Sequence, residues 1–116
     1  MLEKPAFLQG LFHYKGKGLD KPVPFLSPVT YTVPFDRRSQ MIYLRAGNPS
    51  PELIYLVLMR GAKPMRYFPI GAKGAVHVPL AVLEDLSPDT KLEVLVAAPE
   101  GANAPVVVDV GFVEIG

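Results

Sequence analysis

Apolar side chains fill all seven positions from 53 to 59, Leu-Ile-Tyr-Leu-Val-Leu-Met, between Pro49 and Pro51 on one side and Gly61 and Pro64 on the other. Such a run is too short to cross a membrane as a helix. The flanking prolines and glycine also stop helix growth. It reads as a strand, with successive side chains on opposite faces. Ile54, Leu56 and Leu58 share one face; Leu53, Tyr55, Val57 and Met59 share the other.

The same reading extends along the chain. Residues 6–14 are rich in strand formers and end in the turn Lys15-Gly16-Lys17-Gly18. Residues 20–28 carry Pro22, Pro24 and Pro28, so they are expected to be extended but poor in ladder donors. Residues 29–33 alternate Val, Thr, Tyr, Thr, Val, the pattern of a half-exposed strand. Further strands are expected over 40–45, 52–60, 64–70, 75–78, 91–98 and 106–115, and Gly61-Ala62-Lys63 forms a hairpin turn. Leu80, Leu83 and Leu86 stand at helical spacing, so residues 80–86 are expected to form one short helical turn or a loop. About eight short strands joined by Gly/Pro turns, with at most that one turn of helix, predict an all-β, single-domain antiparallel β-sandwich over residues 1–116, immunoglobulin-like or jelly-roll-like. Met1–Lys4 are expected to be disordered or to swap onto a neighbour.

Several strands are apolar on both faces. In the last strand Val106, Val108, Val110 and Phe112 alternate with Val107, Asp109, Gly111 and Val113. Strands covered on both sides read this way. A two-sheet domain buries only one face of each sheet in its own core, so the second faces predict cover from another chain. The interface candidates are Ile54, Tyr55, Leu56, Leu58, Val107, Phe112 and Val113.

Composition narrows the chemistry. The chain has no Cys, which excludes disulfides and thiolate sites and fits a reducing compartment. Residues 1–10 show no signal peptide, which favours a cytoplasmic location or an assembled particle. Thirteen Pro and few amides fit a heat-adapted protein or a high-GC genome. The net charge of +1 is too small to argue for nucleic acid. It is unevenly spread: residues 1–73 hold eleven basic side chains against four acids, net +7, and residues 74–116 one against seven, net −6. The halves predict a dipole if they segregate in space, and a mixed surface if their strands interleave.

The candidates for chemistry are sparse. His13 and His77 lie in different predicted strands with no third ligand at useful spacing, so no metal or cofactor is expected. Glu84 and Asp85 are adjacent and diverge. The basic turn after Tyr14 lacks the following helix that a phosphate loop needs. Arg45 and Arg60 end two strands that could be neighbours, and with Arg66 they could grip an anion. Tyr43 and Tyr67, among the tyrosines Tyr14, Tyr31, Tyr43, Tyr55 and Tyr67, could stack on a sugar, so a carbohydrate is a candidate ligand.

Residues 86–94, Leu-Ser-Pro-Asp-Thr-Lys-Leu-Glu-Val, resemble the Leu-x-Pro-Gly-Thr-x-Tyr-x-Val turn of fibronectin type III domains. Asp89 stands for the Gly and Leu92 for the Tyr, and the chain has no Trp. The resemblance implies a sandwich of immunoglobulin-like type and an adhesive or spacer role, with no catalytic residues to carry over. Together these features predict a non-catalytic module that forms a homo-oligomer or docks as a small subunit of a larger assembly, of which a virion component is one form. The alternatives are a small-ligand or carbohydrate-binding module and, more remotely, an enzyme with a site between subunits that includes His13 or His77.

Overall fold

A computed structural model describes residues 3–116, without the side chains of residues 80–84. The described chain is eight strands and no helix: β1 Glu3–Lys15, β2 Gly18–Thr32, β3 Arg38–Gly47, β4 Ile54–Arg60, β5 Lys63–Ile70, β6 Ala75–Leu86, β7 Lys91–Ala98 and β8 Asn103–Ile115. They form two antiparallel four-stranded sheets, ordered β1-β8-β3-β6 and β2-β7-β4-β5. Residues 80–86 are therefore strand: the leucine spacing that mimics a helix lies in an extended segment. Glu3 and Lys4 belong to β1, paired with Ile115 and Glu114; Met1 and Leu2 lie outside the described residues.

The pairing has one simple rule. β1 pairs β8, β2 pairs β7, β3 pairs β6 and β4 pairs β5. The chain is one long antiparallel hairpin, closed at Gly61-Ala62, that has rolled over itself. Gly61 supplies the positive φ of 59° that this tip requires. This is the jelly-roll wiring. In an immunoglobulin sandwich the first two strands share a sheet; here β1 and β2 lie in opposite sheets. The likeness at residues 86–94 is local. Asp89 takes φ 66°, as the glycine of that motif would, and its N–H bonds the Val33 carbonyl at 3.0 Å.

Rolling a hairpin also decides the charge question. Each of the three strands β6, β7 and β8 from the acidic half lies beside strands from the basic half. Arg45–Asp109, Arg38–Asp85 and Arg37–Glu114 pair across that boundary, so the halves interleave and the dipole is absent.

The core follows strand alternation. Ile54, Leu56 and Leu58 of β4 meet Val106, Val108, Val110 and Phe112 of β8 in one buried cluster. The Tyr31 ring stacks on Phe112 with centroids 4.0 Å apart. Its hydroxyl donates to Glu114 Oε2 at 2.7 Å and shares a hydrogen bond with Ser39 Oγ at 3.0 Å. Arg37 Nη1 lies 3.2 Å from the other Glu114 oxygen. This network satisfies a carboxylate that the sandwich otherwise buries. Burial, with Glu114 alongside, pushes the Tyr31 phenol up to about 12.

The second face of β4 differs from expectation. Val57 points away from the core cluster yet is buried, flanked in the ladder by Leu95 and Tyr67. Tyr55 and Tyr67 meet at 5.9 Å, and the Tyr55 hydroxyl donates to the Leu19 carbonyl of the irregular strand β2. The chain covers part of this face itself: Val57 is buried, while Tyr67 stays 59% exposed.

Candidate functional site

The outer face of the β1-β8-β3-β6 sheet carries a group of exposed apolar side chains. The registers lay it out in three rows. Leu11, Val107, Gly47 and Ala75 stand side by side in one row. Gln9, Asp109, Arg45 and His77 form the next. Phe7, Gly111, Tyr43 and Pro79 form the third. A polar row thus runs between two apolar ones. Phe7, Leu11 and Val107 are each more than half exposed, at 56%, 58% and 52%.

A bulge puts two of these side chains in place. Met41 pairs Phe112 and Tyr43 pairs Gly111, so Ile42 is one residue too many on β3. Were the strand to alternate regularly through Ile42, Tyr43 and Arg45 would follow Met41 into the core. The extra residue flips the strand, so Leu44 and Ala46 point inward and Tyr43 and Arg45 outward. Gly111 then leaves room for the ring: a Cβ at that position would collide with Tyr43.

Asp109 is the hub of the polar row. Gln9 Nε2 donates to Oδ1 at 2.9 Å and the Tyr43 hydroxyl to the same oxygen at 3.0 Å. Arg45 donates to Oδ2 through Nη2 at 2.5 Å and Nε at 3.2 Å. Its guanidinium carbon lies 5.2 Å from the Tyr43 ring centroid, and His77 meets that ring edge-on at 6.1 Å. Burial alone would raise the Asp109 carboxyl, but donation from Gln9, Arg45 and Tyr43 outweighs it and holds the group below the usual range. Burial and then Asp109 push the Tyr43 phenol up, and the carboxylate raises Arg45 further. With both oxygens occupied, Asp109 presents little acceptor capacity to an incoming molecule. What stays accessible is the outer edge of the Arg45 guanidinium and the His77 ring, at a shallow depression of about 550 Å³ floored by Gly47, Ala75 and Val107.

The other candidates are dispersed. Ile54, Leu56, Leu58 and Phe112 are at most 1% exposed in the core, so they cannot form an interface; their faces are filled by the chain's own second sheet. Tyr55 and Tyr67 lie on the opposite outer face, and Val113 lies farther along β8 on the same face as Val107. Arg45 and Arg60 sit on β3 and β4, in different sheets, and are not neighbours. Arg66 lines a hollow of about 240 Å³ with Val76 and Val78 at the β5–β6 margin. Tyr14 and Tyr31 pack with the core, so the five tyrosines make no single platform. Among the described residues, no group of three His, Cys, Asp or Glu could hold a metal ion.

A larger cleft of about 690 Å³ opens at one end of the sandwich between residues 49–52 and 99–105. The loop on its first side is tied down by buried Asn48, whose Nδ2 donates to the carbonyls of Glu52 at 2.8 Å and Gly71 at 3.1 Å. Glu52 and Glu100 are its charged lining groups, and they face it from separate loops.

Gln9 and Asp109, with Phe7 and Leu11 beside them, are the residues that sequence reading missed; His77, considered there only for metal binding or catalysis, joins them through the Arg45 row. One signal was available: Asp109 is a lone charge among valines in β8, and a charge there needs partners on neighbouring strands.

No family model and no curated protein matches the chain. Among solved structures it is similar to an exo-β-1,3-galactanase from Phanerochaete chrysosporium, determined with galactose, at 13% identity and a TM-score of 0.46. The match covers 97% of this chain and 29% of that one, and a likeness of that size carries no argument about activity.

Proposed function

We propose that this chain is a non-catalytic β-sandwich association module, which self-associates or docks as a small structural subunit of a larger assembly through the outer face of the β1-β8-β3-β6 sheet. The observation that carries the reading is the pair of apolar rows on that face, with Phe7, Leu11 and Val107 more than half exposed. Hiding the exposed half of each contributes about 1 kcal/mol, half the value of full burial. The polar row does not oppose this. Asp109 and Arg45 neutralise each other within the face, so covering it strands no uncompensated charge of that pair. A partner therefore needs shape and apolar surface rather than countercharge.

The test is a mass measurement across a dilution series, with Leu11→Lys as the face variant. Association through the face gives a mass above 12.6 kDa that Leu11→Lys lowers. An unchanged mass in the variant would remove the face from the contact.

A second reading has one observation in its favour: Arg45, a candidate for ligand binding, lines the 550 Å³ depression together with His77. Arg45 and His77 would take an anionic or acidic-sugar group there, over the apolar surface of Gly47, Ala75 and Val107. A thermal-shift screen of neutral and acidic sugars tests it, because a ligand of the folded state raises the melting temperature. A shift abolished by Arg45→Ala supports this reading; no shift with any of them removes it.

A further inference from the structure

The two sheets have four edge strands, β1, β6, β2 and β5, and three of them carry the features that keep an edge from pairing. β2 has Pro22, Pro24 and Pro28 and two register shifts. β5 has Pro64 and Pro69, with a register shift against β4. β6 has Pro79 beside a shift against β3. Prolines remove donors and bulges twist an edge away.

β1 is different. It runs beside β8 for thirteen residue pairs without a shift. Its one proline is Pro5, near the start, and residues 6–12, Ala-Phe-Leu-Gln-Gly-Leu-Phe, contain no charge. This is a long, regular, uncharged edge with a ladder on one side only.

The strand is also complementary to itself. Gln9 is the midpoint of Glu3–Lys15. A second β1 laid antiparallel about a two-fold axis at Gln9 puts Phe7 opposite Leu11 of the copy, and Leu11 opposite its Phe7. The same register sets Glu3 opposite Lys15 of the copy at both ends. All these odd-numbered side chains share the outer face, so apolar pairs lie at the centre and opposite charges close each end. The arrangement is closed and isologous.

We propose that β1 pairs antiparallel with β1 of a second copy of this chain, about an axis at Gln9, because it is the one described edge free of proline and bulge over its middle and its own sequence is complementary in that register. Two four-stranded sheets then become one continuous sheet, and the outer faces join across the axis. The proposal rests on the association reading and specifies its partner as a second copy and its contact as an edge.

The chain has no cysteine, so an introduced thiol reports its own neighbours. Directly opposed residues of antiparallel strands have Cα atoms about 4.5–5.5 Å apart, within the reach of a disulfide. Under mild oxidation Gln9→Cys is expected to run as a covalent dimer of twice 12.6 kDa. Phe7→Cys and Leu11→Cys are expected to stay monomeric on denaturing gels alone and to cross-link when mixed. Phe35→Cys, on an exposed turn, is expected to stay uncross-linked as the control. An oligomer in light scattering whose Gln9→Cys form gives no covalent dimer would overturn the edge and leave the association reading standing. Cross-linking of Phe7→Cys alone would overturn the register. A wild-type chain of 12.6 kDa at every concentration would overturn both.

Discussion

Arg45 meets Asp109 in the polar row of the outer sheet face, Nη2 to Oδ2 at 2.5 Å, and the contact exists because a one-residue bulge at Ile42 turned Arg45 outward. The pair joins β3 to β8, and Gln9 and Tyr43 complete the shell of donors around the carboxylate.

Removing that carboxylate leaves three donor side chains without their acceptor. Asp109→Ala is expected to cost about 1–2 kcal/mol of stability, read as a lower denaturant midpoint at neutral pH. It also leaves Arg45 as a bare cation on the face, so any association through that face is expected to weaken.

The acid limb follows from the same group. The Asp109 carboxyl is depressed in the folded chain, so its contribution is present above the unfolded value of about 3.9 and is lost as pH falls through the folded value. Asp109→Asn is expected to flatten this part of the acid limb. Denaturant midpoints between pH 6 and pH 2 check it, and an unchanged slope would contradict the assignment.

The alkaline limb belongs to Tyr31. Its phenol is raised from 10.0 to about 12, so the folded chain holds a proton that the unfolded chain releases in that interval. Stability is fully present below pH 10 and is expected to fall as pH rises towards 12. Tyr31→Phe reduces this slope. Phenolate absorbance of the folded chain is expected to show Tyr31 and Tyr43 both titrating late.

At Gly111 the expectation is steric. A methyl group there strikes the Tyr43 ring, and overpacking of this kind costs about 1–3 kcal/mol. Gly111→Ala is expected to be destabilised by that amount, and Tyr43→Ser in the same chain to recover most of it. A double-mutant cycle measures the recovery as coupling between the two sites.

Much of the sandwich was legible because alternation is local. The faces of β4 and β8 could be read from spacing alone, as could the Gly61 tip. Residues 80–86 could not: Leu80, Leu83 and Leu86 fit a helical period, while pairing of residues 84–86 and Pro79 with β3 keeps the segment extended. Period two also fails at Ile42, since a bulge shifts the faces without marking the sequence. Most consequential was the cover over Val57. Its neighbours are Tyr67 in the same hairpin and Leu95 of the distant strand β7, and an apolar face does not reveal whether its cover is the same chain or another. Leu56→Glu, a natural interface probe from sequence, would instead bury a charge in the core and unfold the domain.

The mass of the chain in solution tests the central claim most directly, by light scattering coupled to size exclusion over a hundredfold dilution. An associating module gives a discrete multiple of 12.6 kDa at the higher concentrations, lowered by charges at Phe7 and Leu11. A mass of 12.6 kDa throughout, with Phe7, Leu11 and Val107 left in water, would contradict it.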